Sequence, residues 1–144
     1  MPVSAGGNTD TMARMASEWM SNRLGQRFIV DNRAGAGGLI GAEMAAKSPP
    51  DGYTLLLGNV ATMTIIPNSQ KKVPYDPLKD FQPVSLIASA PLLVVVHPSL
   101  PVSTIKELVS LSRAKPGAIN YASNGIGTST HLATEMFSMM AGVK

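Results

Sequence analysis

Residues 49–57 read Pro49-Pro50-Asp51-Gly52-Tyr53-Thr54-Leu55-Leu56-Leu57, a tight turn that leads into a largely apolar run. Proline and glycine in this arrangement are a strong turn signal. A short apolar run such as Tyr53 to Leu57 is typical of a strand buried on both faces of a parallel sheet. The stretch therefore predicts a sheet that is covered by other elements on both sides.

Strands and helices are predicted to alternate on both sides of this stretch. Further strands are expected at residues 27–31, 84–88, 92–97 and 119–122. Helices are expected at residues 8–24, at 39–47, from Ser103 or Thr104 to about residue 115, and from about residue 130 to 141. This alternation is typical of an α/β fold, a three-layer sandwich with a mainly parallel sheet.

The first and last predicted helices carry apolar residues at helical spacing, which indicates that one face of each is buried in the core. In the first helix these residues are Met12, Met15, Ala16, Trp19 and Met20, and in the last they are Leu132, Met136, Phe137 and Met140. Asn8 or Thr9 is expected to cap the start of the first helix, with Gly25 at its end. Gly142 is expected to end the last helix.

The composition excludes several classes of protein. With 44% hydrophobic and 15% charged residues and a net charge of +3, the 144-residue chain is too apolar for a disordered protein. Without cysteine it has no disulfide framework and no thiol nucleophile. Its longest aliphatic run, Leu92–Val96, is far shorter than the roughly 20 residues of a membrane span, so no direct membrane insertion is expected. The basic residues are dispersed, and no nucleic-acid partner is expected.

Two turns of small residues each lead into a predicted helix. The first N–H groups of a helix lack intrahelical partners and carry a partial positive charge, so such turns are suited to binding a carboxylate or a phosphate. An ordinary capped turn is the alternative for either turn alone, but two of them in one short chain favour an anion site. The candidate ligand-binding residues are Ser4, Ala5, Gly6, Gly7, Asn8 and Thr9 in the first turn, and Ser123, Asn124, Gly125, Gly127, Thr128 and Ser129 in the second.

Asp10 follows the first turn directly and raises an electrostatic difficulty. An ionised carboxylate about 4 Å from a bound anion would cost about 4 kcal/mol at an effective dielectric constant of 20. Asp10 is therefore expected to bond neighbouring N–H groups, to face away from the ligand and to organise the turn.

The glycine-rich stretch from Gly35 to Gly41 offers an alternative function. It loosely resembles a dinucleotide-binding fingerprint, but Ile40 stands where the last glycine is required, and the acidic residue about 20 positions later is missing. Close packing of a helix is the favoured reason for Gly35, Gly37 and Gly38. The alternative is an α/β enzyme domain that binds a nucleotide or a phosphate through this turn.

Catalytic and metal-binding residues are not indicated. The two histidines, His97 and His131, are far apart and lack the spacing of metal ligands. No serine lies in a nucleophile motif, so no catalytic residue, metal or cofactor is expected, and the chain is not expected to be an enzyme. A chain that folds poorly and associates is a third possibility, which light scattering and a cooperative melt would distinguish.

Five motifs follow one another along the chain. They are Ala5-Gly6-Gly7-Asn8-Thr9-Asp10, Asp31-Asn32-Arg33-Ala34-Gly35-Ala36-Gly37-Gly38, Asp51-Gly52-Tyr53-Thr54-Leu55-Leu56, Tyr75-Asp76-Pro77 with Asp80-Phe81, and Asn120-Tyr121-Ala122-Ser123 leading to Gly127-Thr128-Ser129-Thr130-His131-Leu132. In this order they strongly resemble the Bug family, the periplasmic substrate-binding proteins of tripartite tricarboxylate transporters.

The resemblance implies a type II periplasmic-binding-protein fold, in which two α/β lobes enclose a ligand cleft. It implies a small carboxylate ligand bound by the two turns, with Asn59 near the cleft, and membrane components of a tripartite tricarboxylate transporter as partners. It also implies a periplasmic location, although the sequence shows no export signal. Family members are longer, so the chain is expected to be a fragment, with residues 1–98 in an incomplete first lobe and 99–144 at the start of the second.

Overall fold

The computed structural model describes residues 1–143, and Lys144 lies outside the described residues. The chain divides into two compact units, the first from Met1 to Ser89 and the second from Ala90 onward. The boundary predicted between two lobes, at residues 98 and 99, concerns a longer receptor and stays a prediction.

The four predicted helices are confirmed, and a short helix over residues 66–69, which was not predicted, is also present. In the first unit α1 spans Asn8–Leu24, α2 spans Leu39–Ala46 and α3 spans Ile66–Ser69, and in the second unit α4 spans Ile105–Ala114 and α5 spans Ser129–Ala141. Gly25 and Gly142 end α1 and α5 in the left-handed conformation, with φ of 65° and 61°. The cap predicted for α1 is wrong, because Gly7 rather than Asn8 or Thr9 precedes the helix, and no side chain caps it.

The predicted strands are not formed anywhere in residues 1–143. A strand requires a neighbour that completes its hydrogen-bond ladder, and β-propensity alone does not supply one. One short pairing of parallel type is present, since the amine of Met1 donates to the Asp31 carbonyl (2.6 Å) and the Arg33 N–H donates to the Met1 carbonyl (2.7 Å). The mainly parallel sheet remains a prediction.

The core of the first unit is built from small side chains and close backbone contacts. Ala13, Ala42, Ala61, Ile66 and Tyr75 are its buried apolar residues. A Cβ atom added to Gly41 would lie 2.7 Å from both the Arg33 carbonyl oxygen and the Pro2 Cα, and one added to Gly38 would lie 2.7 Å from Thr62 Cγ2. The segment around Pro2 therefore packs directly against the start of α2.

The faces predicted to be buried on α1 and α5 are only partly buried. On α1, Met15 and Trp19 are 60% and 67% exposed, and the helix buries Asp10 and Ala13 instead. On α5, Met136 and Met140 are 57% and 78% exposed. Amphipathic spacing shows which face of a helix is apolar, but not how completely other parts of the chain cover that face.

A π-helical turn, Ala61–Ile65, precedes α3. The Ile66 N–H donates to the carbonyl of Ala61, five residues earlier. Pro67 has no N–H, and in a regular α-helix its ring would clash with the carbonyl four residues before it, which explains why the helix widens here. Tyr75 supports this turn, because its buried hydroxyl donates to the Thr62 carbonyl at 2.6 Å.

In the second unit, a capping box stabilises the start of α4, and one arginine connects the two helices. Thr104 and Glu107 form a capping box at the start of α4, and Leu108 is the buried apolar residue of that helix. Arg113 donates from Nε to the Ala141 carbonyl at 3.1 Å, which joins α4 to the end of α5. No helix within residues 1–143 combines the length and apolar character needed to cross a membrane.

Replacement of Gly41 by alanine is expected to destabilise the chain by about 1–3 kcal/mol, because the new carbon would displace backbone atoms. Gly58→Ala is the matched control, since its new carbon would meet only the flexible Met63 side chain and is expected to cost less than half as much. Urea denaturation followed by circular dichroism measures both. A Gly41→Ala variant as stable as the unaltered chain would contradict the close packing.

Tyr75→Phe is expected to cost about 1–2 kcal/mol, because it leaves the buried Thr62 carbonyl without its donor. Tyr53→Phe removes a hydroxyl from a residue that is 93% exposed and is expected to change the free energy of unfolding by less than about 0.5 kcal/mol. The same denaturation experiment compares the two variants, and equal effects would exclude a specific role for the Tyr75 hydroxyl.

Candidate anion-binding turns

The first turn, Ser4–Thr9, lies ahead of a helix whose initial N–H groups are not capped. Gly7 adopts an extended conformation (φ −80°, ψ 171°) and begins α1 without a side-chain cap. Within residues 1–143, the N–H groups of Gly7, Asn8 and Thr9 have no hydrogen-bond acceptor. Most of the turn is solvent-exposed, so these donors are available to a ligand.

Asp10 is directed away from those donors. Its side chain is only 4% exposed, and Oδ2 accepts hydrogen bonds from the Gly6 N–H (2.8 Å) and Arg14 Nε (2.9 Å). Oδ1 accepts from Asn32 Nδ2 at 2.9 Å. The Arg14 hydrogen bond, helped by those from Gly6 and Asn32, lowers the pKa of Asp10 to about 2, so the carboxylate is ionised at neutral pH.

The second turn, Ser123–Ser129, uses part of its donors internally. The Asn124 N–H donates to Thr130 Oγ1 at 3.1 Å, and the Gly125 N–H donates to Ser123 Oγ at 3.3 Å. The Thr128 N–H donates to the Gly125 carbonyl at 3.2 Å. Of the residues predicted to bind a ligand here, Asn124, Gly125 and Thr128 therefore have their N–H groups occupied.

The remaining donors of the second turn lie around Gly127. The N–H groups of Gly127 and Ser129 have no acceptor within residues 1–143. Gly127 has a φ of 80°, and a Cβ built on it would meet nothing within 4 Å. The space above this peptide is open, and a glycine there lets an anion approach the backbone.

Asn59 and His131 have different surroundings. Asn59 Oδ1 accepts from the Thr62 N–H at 3.1 Å, which fixes this side chain at the beginning of the π-helical turn. His131 lies in the first turn of α5, and its N–H donates to Thr128 Oγ1 at 3.4 Å. Its Nδ1 atom is buried without a hydrogen-bond partner in the described part of the chain.

Three residues with structural contacts to the turns were not identified from the sequence. Thr130 contacts Thr128 (Oγ1 to Oγ1, 3.0 Å) and accepts from Asn124. Arg14 stands four residues after Asp10, a spacing that brings side chains together on a helix and could have identified it. Asn32 lies 22 positions from Asp10, and no local pattern links the two.

The Gly35–Gly41 turn is occupied by the protein itself. The positions where Cβ atoms would stand on Gly38 and Gly41 lie within 3 Å of atoms from Pro2, Arg33 and Thr62. These contacts leave no room for a phosphate against Gly38 or Gly41, which weighs against the nucleotide-binding alternative. Within residues 1–143, no cluster of three potential metal ligands is present.

Comparison with known proteins gives consistent results. The family described as tripartite tricarboxylate transporter family receptor, TctC, matches residues 12–144. Protein BugT from Bordetella pertussis is 40% identical over 99% of this chain. The chain covers only 44% of BugT, so it spans less than half the length of that relative.

Solved structures of similar proteins share the fold. One described as a periplasmic transporter has a TM-score of 0.95 and 42% identity, and Rpa4515 from R. palustris, solved with adipate, has a TM-score of 0.95 and 39% identity. MatC from Rhodopseudomonas palustris, solved with bound malate, has a TM-score of 0.89 and 31% identity. Each comparison covers 99% of this chain, but only 48%, 48% and 49% of the respective solved chains.

The likeness extends over both turns and all the helices described above. It covers nearly the whole chain, both in sequence and in fold. The chain thus has the fold of periplasmic transporter binding proteins and belongs to the Bug family, the receptors of tripartite tricarboxylate transporters.

Proposed function

We propose that this chain is part of a periplasmic receptor that binds a small organic carboxylate and delivers it to the membrane components of a tripartite tricarboxylate transporter. The observation that carries the proposal is the uncapped start of α1, where Gly7, Asn8 and Thr9 present N–H groups without acceptors in the described residues. The adipate and malate bound by two solved relatives support a carboxylate as the ligand.

Each turn binds a carboxylate group through backbone donors. A hydrogen bond to a charged acceptor contributes about 1.5–3 kcal/mol, so two or three amides suffice to select a carboxylate over a neutral group. In the first turn the donors are the N–H groups of residues 7–9, and in the second they are those of Gly127 and Ser129. Side-chain hydroxyls of Ser4, Thr9 and Ser129 add further donors.

We infer the finer features of the receptor from its family membership. They are a type II fold with a mainly parallel sheet and a periplasmic location. In this role the chain acts by binding and transfers no chemical group. Asn59 contributes through its Nδ2 group, because its Oδ1 atom is already bonded to Thr62.

In this chain, adipate or malate at millimolar concentration is expected to shift the amide NMR signals of residues 7–9, Gly127 and Ser129. These N–H groups exchange water for a carboxylate oxygen, which changes their chemical shifts. Adipamide, which has the same carbon chain without charge, is the control ligand and is expected to leave the signals unchanged. Equal shifts with both compounds would contradict carboxylate binding.

Gly7→Val is expected to abolish the shifts in the first turn and Gly127→Val those in the second, because a branched side chain would block the approach to the backbone. Gly7 has a negative φ and open space around it, so valine is tolerated there. Valine at Gly127 is strained at φ 80°, and Gly117→Val is the matched control, since Gly117 has φ 73° and equally open space. Undiminished shifts in both site variants would overturn the assignment of the turns.

A further inference from the structure

Asp10, Arg14 and Asn32 form a closed triangle of side chains in which each residue is bonded to the other two. Arg14 Nε donates to Asp10 Oδ2 at 2.9 Å, and Asn32 Nδ2 donates to Asp10 Oδ1 at 2.9 Å. Arg14 Nη2 completes the triangle by donating to Asn32 Oδ1 at 3.2 Å. The arrangement occupies both oxygens of the buried carboxylate with side-chain donors.

The triangle also holds the backbone at two points around the first turn. The Gly6 N–H donates to Asp10 Oδ2 at 2.8 Å, inside the turn. Asn32 Nδ2 donates to the carbonyl of Val3 at 3.2 Å, immediately before it. The orientation of the peptides between Val3 and Gly7 therefore depends on these side chains.

A comparison with α4 shows that the triangle of side chains prevents a capping box at the start of α1. In α4 the acidic residue at the third helical position, Glu107, accepts from the N–H groups of Ser103 and Thr104 and thereby closes a capping box. Asp10 occupies the same position in α1, but its oxygens contact Gly6, Arg14 and Asn32. The N–H of Gly7, which corresponds to that of Thr104, is left without an acceptor in residues 1–143.

The triangle also neutralises the charge of Asp10. The Asp10 carboxylate has the same sign as a carboxylate ligand and lies within the first turn of α1, so alone it would repel that ligand. The Arg14 guanidinium lies in contact with it, and the pair has no net charge. The partial positive charge at the start of α1 then acts on the ligand without opposition from Asp10.

We propose that Asp10, Arg14 and Asn32 are positioning residues for the first turn, which keep the Gly7 N–H unoccupied and cancel the Asp10 charge without touching the ligand. The proposal rests on the function proposed above. It assigns to Arg14 an effect on ligand affinity that acts through Asp10, and this effect is separable from an effect on folding.

The test compares Arg14→Gln with the double variant Asp10→Asn/Arg14→Gln in this chain. Adipate affinity is measured from the NMR shifts of residues 7–9 at low and at high salt. Arg14→Gln is expected to weaken binding about tenfold at low salt, because the Asp10 charge is then uncompensated, and less at high salt, where it is screened. The double variant is expected to recover most of the loss, because it carries neither charge.

Arg23→Gln is the matched control, since it removes the same charge from the same helix, and Arg23 lies outside the triangle. It is expected to bind adipate within about twofold of the unaltered chain. Circular dichroism checks the fold of each variant. If Arg14→Gln fails to fold, Arg14→Lys keeps the charge, and affinity within about threefold of the unaltered chain is expected; a tenfold loss in that variant would overturn the charge argument.

The outcomes distinguish this proposal from the one on which it rests. If the unaltered chain binds adipate, Gly7→Val abolishes binding and Arg14→Gln matches Arg23→Gln, only the positioning role is overturned. A double variant no better than Arg14→Gln, with a loss independent of salt, would show a purely structural role and would also overturn it. If adipate produces no shifts in the unaltered chain, both proposals fall.

Discussion

The candidate site depends on one hydrogen bond, from the Gly6 N–H to the Asp10 carboxylate. Because Asp10 makes this bond, it does not cap the N–H of Gly7. An acidic side chain at the third position of a helix usually satisfies the backbone N–H of the capping residue. In α1 it bonds the N–H of Gly6 and leaves that of Gly7 without an acceptor among the described residues. Gly7 has no side chain that could cap the N–H groups after it. An uncapped helix start is unfavourable for the isolated chain and favourable for binding an anion.

Both turns keep some backbone N–H groups without an acceptor in the described residues, but different side chains fix the two turns. The first is fixed by side chains from outside it, Asp10 and Asn32, and keeps its successive amides unengaged. The second is fixed by its own hydroxyl groups, because Ser123 and Thr128 bond to Gly125. This internal bonding restricts the second turn to the N–H groups near Gly127.

The sequence predicted the helices better than any other feature, because periodicity and end signals such as Gly25, Thr104 and Gly142 are local. Strands depend on partners distant in sequence, and the apolar run at Tyr53–Leu57 has no ladder within the described residues. The candidate site shows the same difference between local signals and contacts that are distant in sequence. The glycine-rich turns were visible in the sequence, whereas the contact between Asp10 and Asn32 spans 22 positions and follows no sequence pattern.

Core packing and the first turn are physically connected through the three residues that precede it. Pro2 is held against Gly38 and Gly41, where any side chain would collide with it, and Met1 pairs with the backbone on either side of Asn32. Asn32 in turn bonds Val3 and Asp10. The chain therefore enters the turn from a packed segment and leaves it into a helix, with both ends fixed before any ligand arrives. Donors fixed in this way lose little conformational entropy on binding, which is how a few backbone amides can provide a selective carboxylate site.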